Sequence, residues 1–479
     1  MLRRVVAAVA IVTPFAIGWI VVAPATTLGL PVVAQRVAVN ARDLQLVCPG
    51  ALFRSAADTG AKVGSFSQTG IASLSGTFDA QSGGALTARD ITGTVVGSQA
   101  SGTVTDPLTL TASGVGLTQG SKLLNAGQLQ LVNDPRAAGL FAAPCLLAEG
   151  EHWLLGATTT TGRESLLILN NPGAVNATVA IELFGSTGKI VTAGQEGISV
   201  PAHGTTVIPV ASLAPDLDSI AVHVLASSSV VTAAIQQKTV RGLVAAGGDL
   251  IAPSTELAKN LVIPGLFVRG TKDAAKLASK SADYADLQPV LQLFLPASAK
   301  SAANVSAQVV GVTAKTFGTV VRQTLNPGTV VNVPLTGLDD GDYSVFISAD
   351  QALRAAVRLS RTNLAQHPIT DFTWLQSAQV ITDQPMALTA PASGISKLSI
   401  ANQGSAIANV TLTINGKTQT VAVPAQNSKV IAIAAHASAL ISSDQPVAAT
   451  LIVDVNYTVA NLPVLDYQNL GASLAVLVR

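Results

Sequence analysis

The chain has 479 residues, of which 48% are hydrophobic, 11% charged and 4% aromatic, with 28 basic residues against 27 acidic ones. Soluble domains carry roughly 25% charged residues, so this surface is drawn mainly from Ser, Thr, Gln, Asn, Ala and Gly. The near-zero net charge excludes an ordinary nucleic-acid binder, which needs a basic excess, and the high hydrophobicity excludes disorder. A multi-span membrane protein needs several apolar runs of about 20 residues; this sequence has one.

That run is Val5–Val22, preceded by Arg3 and Arg4 and interrupted only by Thr13, Pro14 and Gly18. It has the length of one membrane-crossing helix. The two arginines would hold its short side in the cytoplasm, with Trp19 near the outer interface. The competing reading is a signal peptide cleaved after Val32-Val33-Ala34, before Gln35. Residues 1–35 are therefore assigned as a transmembrane or signal-anchor segment. On either reading the rest of the chain is exported: single-pass and extracellular on the membrane, or secreted after cleavage near Ala34. Two cysteines, Cys48 and Cys145, follow in the exported part. An even number in an oxidising compartment reads as a disulfide, the alternative being two free buried thiols.

Strand signals dominate downstream. Residues 36–150 form a Gly/Ser/Thr-rich β region closed by the expected Cys48–Cys145 bridge, with strands near Ala88–Val96, Leu108–Thr111 and Gln128–Leu131. Val179, Ile181 and Leu183 alternate with polar residues before the turn Gly185–Lys189. Lys272–Lys280 is the one helical stretch, an exposed lysine-lined insertion. Val410, Leu412 and Ile414 alternate strictly into Asn415-Gly416, which predicts a type I′ hairpin.

Internal repetition organises these strands. Leu166–Gly173, ending in Asn171-Pro172-Gly173, parallels Leu398–Gly404. Val200-Pro201-Ala202 parallels Val423-Pro424-Ala425, and Leu325-Asn326-Pro327-Gly328 holds the middle place. One unit spans about 100–120 residues with six or seven strands, the size of an immunoglobulin-like sandwich. The fold expected is all-β: tandem immunoglobulin-like β-sandwich repeats after one N-terminal transmembrane helix. The repeats are placed at 151–256, 257–373 (with the Lys-rich insertion) and 374–479. Short connections predict an elongated, fairly rigid rod.

The search for chemistry finds no catalytic, metal or cofactor site. His152, His203, His223, His367 and His436 are scattered, with no ligand spacing. Ser186 and Lys189 have the spacing of a serine nucleophile and its lysine but stand in a hairpin turn. Asp339, Asp340 and Asp342, with Asp216 and Asp218 in the equivalent loop, read as solvated turns; the alternative is a calcium site at a sandwich edge, against which the third repeat puts Ala435-His436-Ala437 in that place and no EF-hand pattern occurs. The sequons at Asn176, Asn304, Asn409 and Asn456 are what an Asn- and Thr-rich strand composition supplies by chance.

One segment is more specific. Asp134–Cys145, ending Ala143-Pro144-Cys145, leads into Glu151-His152-Trp153-Leu154-Leu155-Gly156 and Asn171-Pro172-Gly173; Val47-Cys48-Pro49-Gly50 stands upstream, Val240–Asp249 and Ile263-Pro264-Gly265 downstream. This combination resembles an actinobacterial family of exported, membrane-anchored proteins of unknown function. The resemblance implies that Cys48 and Cys145 belong to the family pattern. It transfers location and architecture, not an activity. The function expected is a non-enzymatic, membrane-anchored cell-envelope scaffold or interaction protein. Its partners would be the membrane, through the N-terminal helix, and envelope proteins or glycans, with no nucleic acid. The alternative is a carbohydrate-binding module or an envelope enzyme with a loop-built site. Mass spectrometry of the mature amino terminus should find Met1 or Leu2; a start at Gln35 would mean cleavage.

Overall fold

Alternation along the chain becomes strand and burial together. A computed structural model describes residues 33–37, 43–55, 65–78, 85–113, 124–254, 257–313, 318–364, 369–467 and 474–478. In the strand Ala408–Ile414, Ala408, Val410 and Leu412 are buried while Asn409 and Thr411 are exposed. The strand turns through Asn415 (φ 46°) and Gly416 (φ 80°) into Lys417–Val423, with Ile414 opposite Lys417. Both central residues have positive φ, as a type I′ turn requires. The insertion forms the α-helix Thr271–Ala278. The run Val5–Val22 lies outside the described residues; among those described, no helix is long and apolar enough to cross a membrane. Val33–Val37 and Leu474–Val478 form a separate antiparallel pair, Val33 opposite Val478.

Residues 40–471 hold four sandwiches with one strand order. In the second, the strands run Glu151–Ala157, Arg163–Asn171, Ala177–Gly185, Gly188–Ile190, Gly204–Pro209, Ile220–Ser227, Thr232–Arg241 and Val244–Ile251. Counted in sequence, they pair 1-6-3-4 in one sheet and 5-2-7-8 in the other. The sandwich before it (strands between 44 and 144) and the two after it (258–376 and 386–463) repeat both orders. In the third, one long strand, Gly341–Asn363, serves as sixth strand in one sheet and seventh in the other. Leu155 and Leu183 of one sheet meet Leu167 and Ile235 of the other in a shared core.

Two of the repeats seen in sequence share one set of asparagine bonds. Asn171 Nδ2 donates to the carbonyls of Val175 (2.8 Å) and Val200 (3.1 Å), and its Oδ1 accepts from Gly173. Asn402 does the same with Ala406, Val423 and Gly404. His203 and Gln426 occupy the same turn, each at φ 50°.

Two expectations are corrected. An immunoglobulin sandwich holds its first and second strands in one sheet; here they lie in opposite sheets. Alternation specifies which residues point inward, but not which distant strand completes the ladder. The rod is also overturned, because the first sandwich packs on the fourth as well as the second. Leu129, Leu140 and Ala142 of the first join the core of the fourth, and Thr77 Oγ1 bonds Thr389 Oγ1 at 2.8 Å. The cause is in the eighth strands. Ala137–Pro144, Val244–Ile251 and Ile369–Gln376 are each buried along a continuous stretch. A strand buried on both faces needs cover from outside its own sandwich, and these strands cover one another.

Where the four eighth strands meet, Asp371 joins them. Its Oδ2 accepts from the backbone N–H of Leu140 (3.0 Å) and Val459 (2.9 Å), and its Oδ1 from Gly248 (3.1 Å). Each donor belongs to the eighth strand of a different sandwich. The approach is too close for side chains: a Cβ on Gly139, at φ 138°, would sit 2.5 Å from Asp371 Oδ1, and one on Gly248 would fall on the Phe141 ring. Cys48 and Cys145 form the disulfide, across 97 residues of the first sandwich.

Burial pushes the Asp371 carboxyl up to about 7, against the opposing pull of its three N–H donors. A proton held more tightly when folded stabilises the fold at low pH, and that contribution is lost as pH rises from about 4 through about 7. Asp371→Asn should therefore be less stable than wild type, with the gap narrowing by on the order of 3–4 kcal/mol across that interval, at 1.36 kcal/mol per unit. Denaturant unfolding of both proteins between pH 4.5 and 7.5 measures the gap; a constant gap would contradict the assignment.

Candidate functional site

A cavity of about 710 Å3 opens where connections from all four sandwiches converge. Its floor begins at the link from first to second sandwich. Glu149 exchanges backbone bonds with Val231 (2.9 and 3.1 Å), and Ala226 donates to Gly150 (2.8 Å), which carries the chain into the edge strand Glu151–Ala157. Trp153 stands opposite His223 in the ladder, and directly opposed side chains on one face are in reach of each other. The rings stack with centroids 3.8 Å apart and planes at 10°. Glu151 lies two residues earlier, on the same face, and takes the Trp153 indole N–H at 2.9 Å.

His223 is clamped between carboxylates, Nε2 to Glu151 and Nδ1 to Glu182, each at 2.9 Å. The hydrogen bonds from Trp153 and His223 hold the Glu151 carboxyl below its usual range, against the opposing effect of burial. His152 faces the other way. Its Nε2 bonds the Val231 carbonyl at 2.7 Å, and burial lowers its pKa, so it is a neutral packing residue with that nitrogen engaged.

The opposite wall is built by residues distant in sequence. Arg354, from the long strand of the third sandwich, places its guanidinium 5.4 Å from the centre of the Trp153 ring and donates Nη1 to the Ser254 carbonyl at 3.2 Å. Burial lowers it to about 10, still cationic at neutral pH. Arg354 Nε and the Ser254 hydroxyl are buried with no hydrogen-bond partner. Glu149 adds a half-buried carboxyl, raised by burial alone. Tyr467, from the chain end of the fourth sandwich, donates its hydroxyl to the Cys145 carbonyl at 2.6 Å.

This arrangement can bind; it has no assembled nucleophile. Ser254 has no base at its hydroxyl, and no three His, Cys, Asp or Glu among the described residues could hold a metal. The sequence candidates fall elsewhere. Lys189 pairs with Glu182 across its hairpin at 2.5 Å. Asp340 caps the insertion helix through the Gly270 and Thr271 N–H groups, and Asp342 pairs with Arg269 at 2.6 Å. His203 is a turn residue, and His367 lies outside the described residues. The sequence reading singled out Trp153 within the family-like segment but missed Glu149, Ser254 and Arg354. Arg354 had one signal: a guanidinium in the apolar run Leu353–Leu359.

A second polar cluster is closed on itself. Asp286, on the 3-10 turn Ala282–Leu287 that follows the insertion helix, pairs with Arg163, with Arg241 at 2.7 Å and with Arg358 at 3.3 Å. Burial opposes its ionisation, but Arg358, Arg241 and Arg163 together hold it at about 2. This cluster ties the second sandwich to the third.

Fold and site define an all-β protein of four fused sandwiches with a cavity at their junction. The chain belongs to a family of unknown function (DUF5719), whose model matches residues 96–434. That span includes Cys145 and Trp153 and ends before Tyr467. No curated protein matches the chain. A solved structure described as "Biofilm associated protein - BSP domain" is 12% identical, covering 88% of this chain and 96% of that one with a TM-score of 0.12. At that score the likeness carries no argument.

Replacing Asp286 by Asn leaves three largely buried arginines without their counter-charge. Breaking such a buried pair costs about 3–5 kcal/mol, so Asp286→Asn should lower denaturant stability by that order at pH 7. The difference should vanish as pH falls toward 2, where the wild-type carboxyl takes up its proton.

Proposed function

We propose that the protein is a non-catalytic binding scaffold of the cell envelope, exported and held to the membrane by its N-terminal segment. The carrying observation is the chemistry of the junction cavity. Its walls bring the carboxyls of Glu149 and Glu151, the Arg354 guanidinium and the Trp153 indole to one cavity, while its histidine and its serine are not paired for proton transfer. The Ser254 hydroxyl without a base beside it supports the non-catalytic part of the reading for acyl transfer. The mutual cover of the four eighth strands supports the scaffold part of the reading, since it holds the cavity walls in one body.

The sequence adds the location. Arg3, Arg4 and the apolar run Val5–Val22 support an anchored, extracellular protein, whose partners are envelope polymers or envelope proteins. Incubating the purified full-length protein with isolated cell walls tests the reading. The protein should co-sediment with the walls and release no reducing ends or peptides over hours. Steady release of wall fragments, or recovery of all the protein in the supernatant, would overturn it.

A further inference from the structure

The four eighth strands run in one direction. Thr370 Oγ1 donates to the Ala246 carbonyl at 3.2 Å, and further along both strands the Trp374 N–H reaches Asp249 at 2.7 Å. The Val459 N–H goes to Asp371 and, two residues on, Asn461 Nδ2 donates to Thr373 Oγ1 at 2.7 Å. Leu140 shares an Asp371 oxygen with Val459, and a Cβ on Gly127, opposite Pro144, would lie 3.0 Å from Leu462. The hairpins that lead into these strands therefore emerge together at one end of residues 40–471. The junction cavity, lined by residues that follow the strands, lies at the other.

Two of those hairpin turns are apolar. Leu243 is 94% exposed and Val244 62% exposed in the turn Arg241–Val244, and Tyr457 is exposed in the turn Val455–Thr458. The one α-helix among the described residues, Thr271–Ala278, stands beside them. The Arg241 guanidinium lies 4.9 Å from the centre of the Tyr284 ring, on the 3-10 turn after the helix. Leu364, from the hairpin of the third sandwich, packs with Ala274 and Leu277 and donates its N–H to Asp273 at 2.9 Å.

The outer side of that helix is basic. Lys272 and Lys276 are exposed one turn apart, and Lys280 is exposed just past the helix end. In a chain with only 11% charged residues, three lysines thus fall within nine positions. Acids nearby are engaged: Asp273 with Leu364, Asp340 with the helix N-terminus and Asp454 with Arg361. Asp283 is the one fully exposed acid of the insertion.

Shape and charge together select the partner. A protein partner needs about 800 Å2 of fitted surface on each side, which separate hairpin turns do not supply. A lipid surface needs no fitted shape. Aliphatic side chains enter the acyl boundary, lysines meet anionic headgroups, and a tyrosine sits at the interface. We infer that the end carrying Leu243, Val244, Tyr457 and the insertion-helix lysines docks on an anionic phospholipid surface. This goes beyond the N-terminal anchor and rests on the membrane-held reading only for bringing a bilayer within reach.

A fluorophore at the turn tests it in the full-length protein. Cys48 and Cys145 are joined in the disulfide, so Leu243→Cys takes a single environment-sensitive nitrobenzoxadiazole label. Val175→Cys is the control, an equally apolar position 56% exposed at the opposite end of the second sandwich. Each protein is reconstituted with vesicles of phosphatidylcholine alone and with about 30% phosphatidylglycerol, which supplies the negative surface. On the anionic vesicles the label at Leu243→Cys should shift to shorter wavelength and be quenched by doxyl-labelled lipid, while the label at Val175→Cys stays in water. Combining Lys272→Glu, Lys276→Glu and Lys280→Glu should abolish the shift with an unchanged thermal midpoint. No shift at Leu243→Cys on anionic vesicles, an equal shift at Val175→Cys, or a shift that survives the lysine reversal would each overturn the inference. Flotation with pure phosphatidylcholine vesicles reads the N-terminal anchor separately: a protein that fails to float there overturns the anchor reading, whatever the label shows.

Discussion

One carboxylate collects the four sandwiches. Three of the eighth strands are buried along a continuous stretch, and the crossing of all four brings three backbone N–H groups to a buried point where Asp371 is their acceptor. A buried N–H without an acceptor costs about 1–3 kcal/mol, so three of them would disfavour the closure. Asp371 accepts all three with two oxygens. A neutral amide has one acceptor oxygen and two donors, and its N–H groups would face the incoming N–H groups. The same burial that makes the carboxylate useful as an acceptor raises its affinity for a proton. The junction is thereby coupled to pH.

Away from this point, neutral amides join the sandwiches. Gln236 takes the Phe53 N–H and donates to the Phe53 carbonyl, both at 2.7 Å. Gln292 accepts from Gly156, and Gln237 accepts from the Trp374 indole while donating to Gly156. A glutamine satisfies a donor and an acceptor on a strand edge without the desolvation cost of a charge. Low charge in the composition is therefore partly a property of internal joints and not of the surface alone. Charged joints also occur: three arginines crowd Asp286 between the second and third sandwiches, and Arg361 of the third pairs with Asp454 of the fourth at 3.1 Å.

The cavity follows from the closure, since its walls come from all four sandwiches. Of its functional side chains, Trp153 was legible because it stands in a distinctive segment with aromatics scarce throughout. Glu149 and Ser254 were not: one reads as a turn acid, the other as one of many serines. Arg354 and Asp371 each interrupt an apolar strand, a pattern that marks a buried charge without naming its partner. The partners lie 100 residues away for Arg354, and 231, 123 and 88 for Asp371. No local spacing encodes such pairings.

What the sequence determined by itself was local. Alternation in segments such as Val410–Ile414, the Asn415-Gly416 turn, the insertion helix and the repeated asparagine motifs follow from a two-residue side-chain period and from short-range hydrogen bonds. Tertiary structure alone decided the 1-6-3-4 over 5-2-7-8 strand order, the closure of the first sandwich on the fourth and the cavity at their junction. Those depend on which buried faces cover one another. A strand's composition states that it must be covered on both sides, but the covering strand is chosen by packing and by the N–H groups left over when the sheets meet.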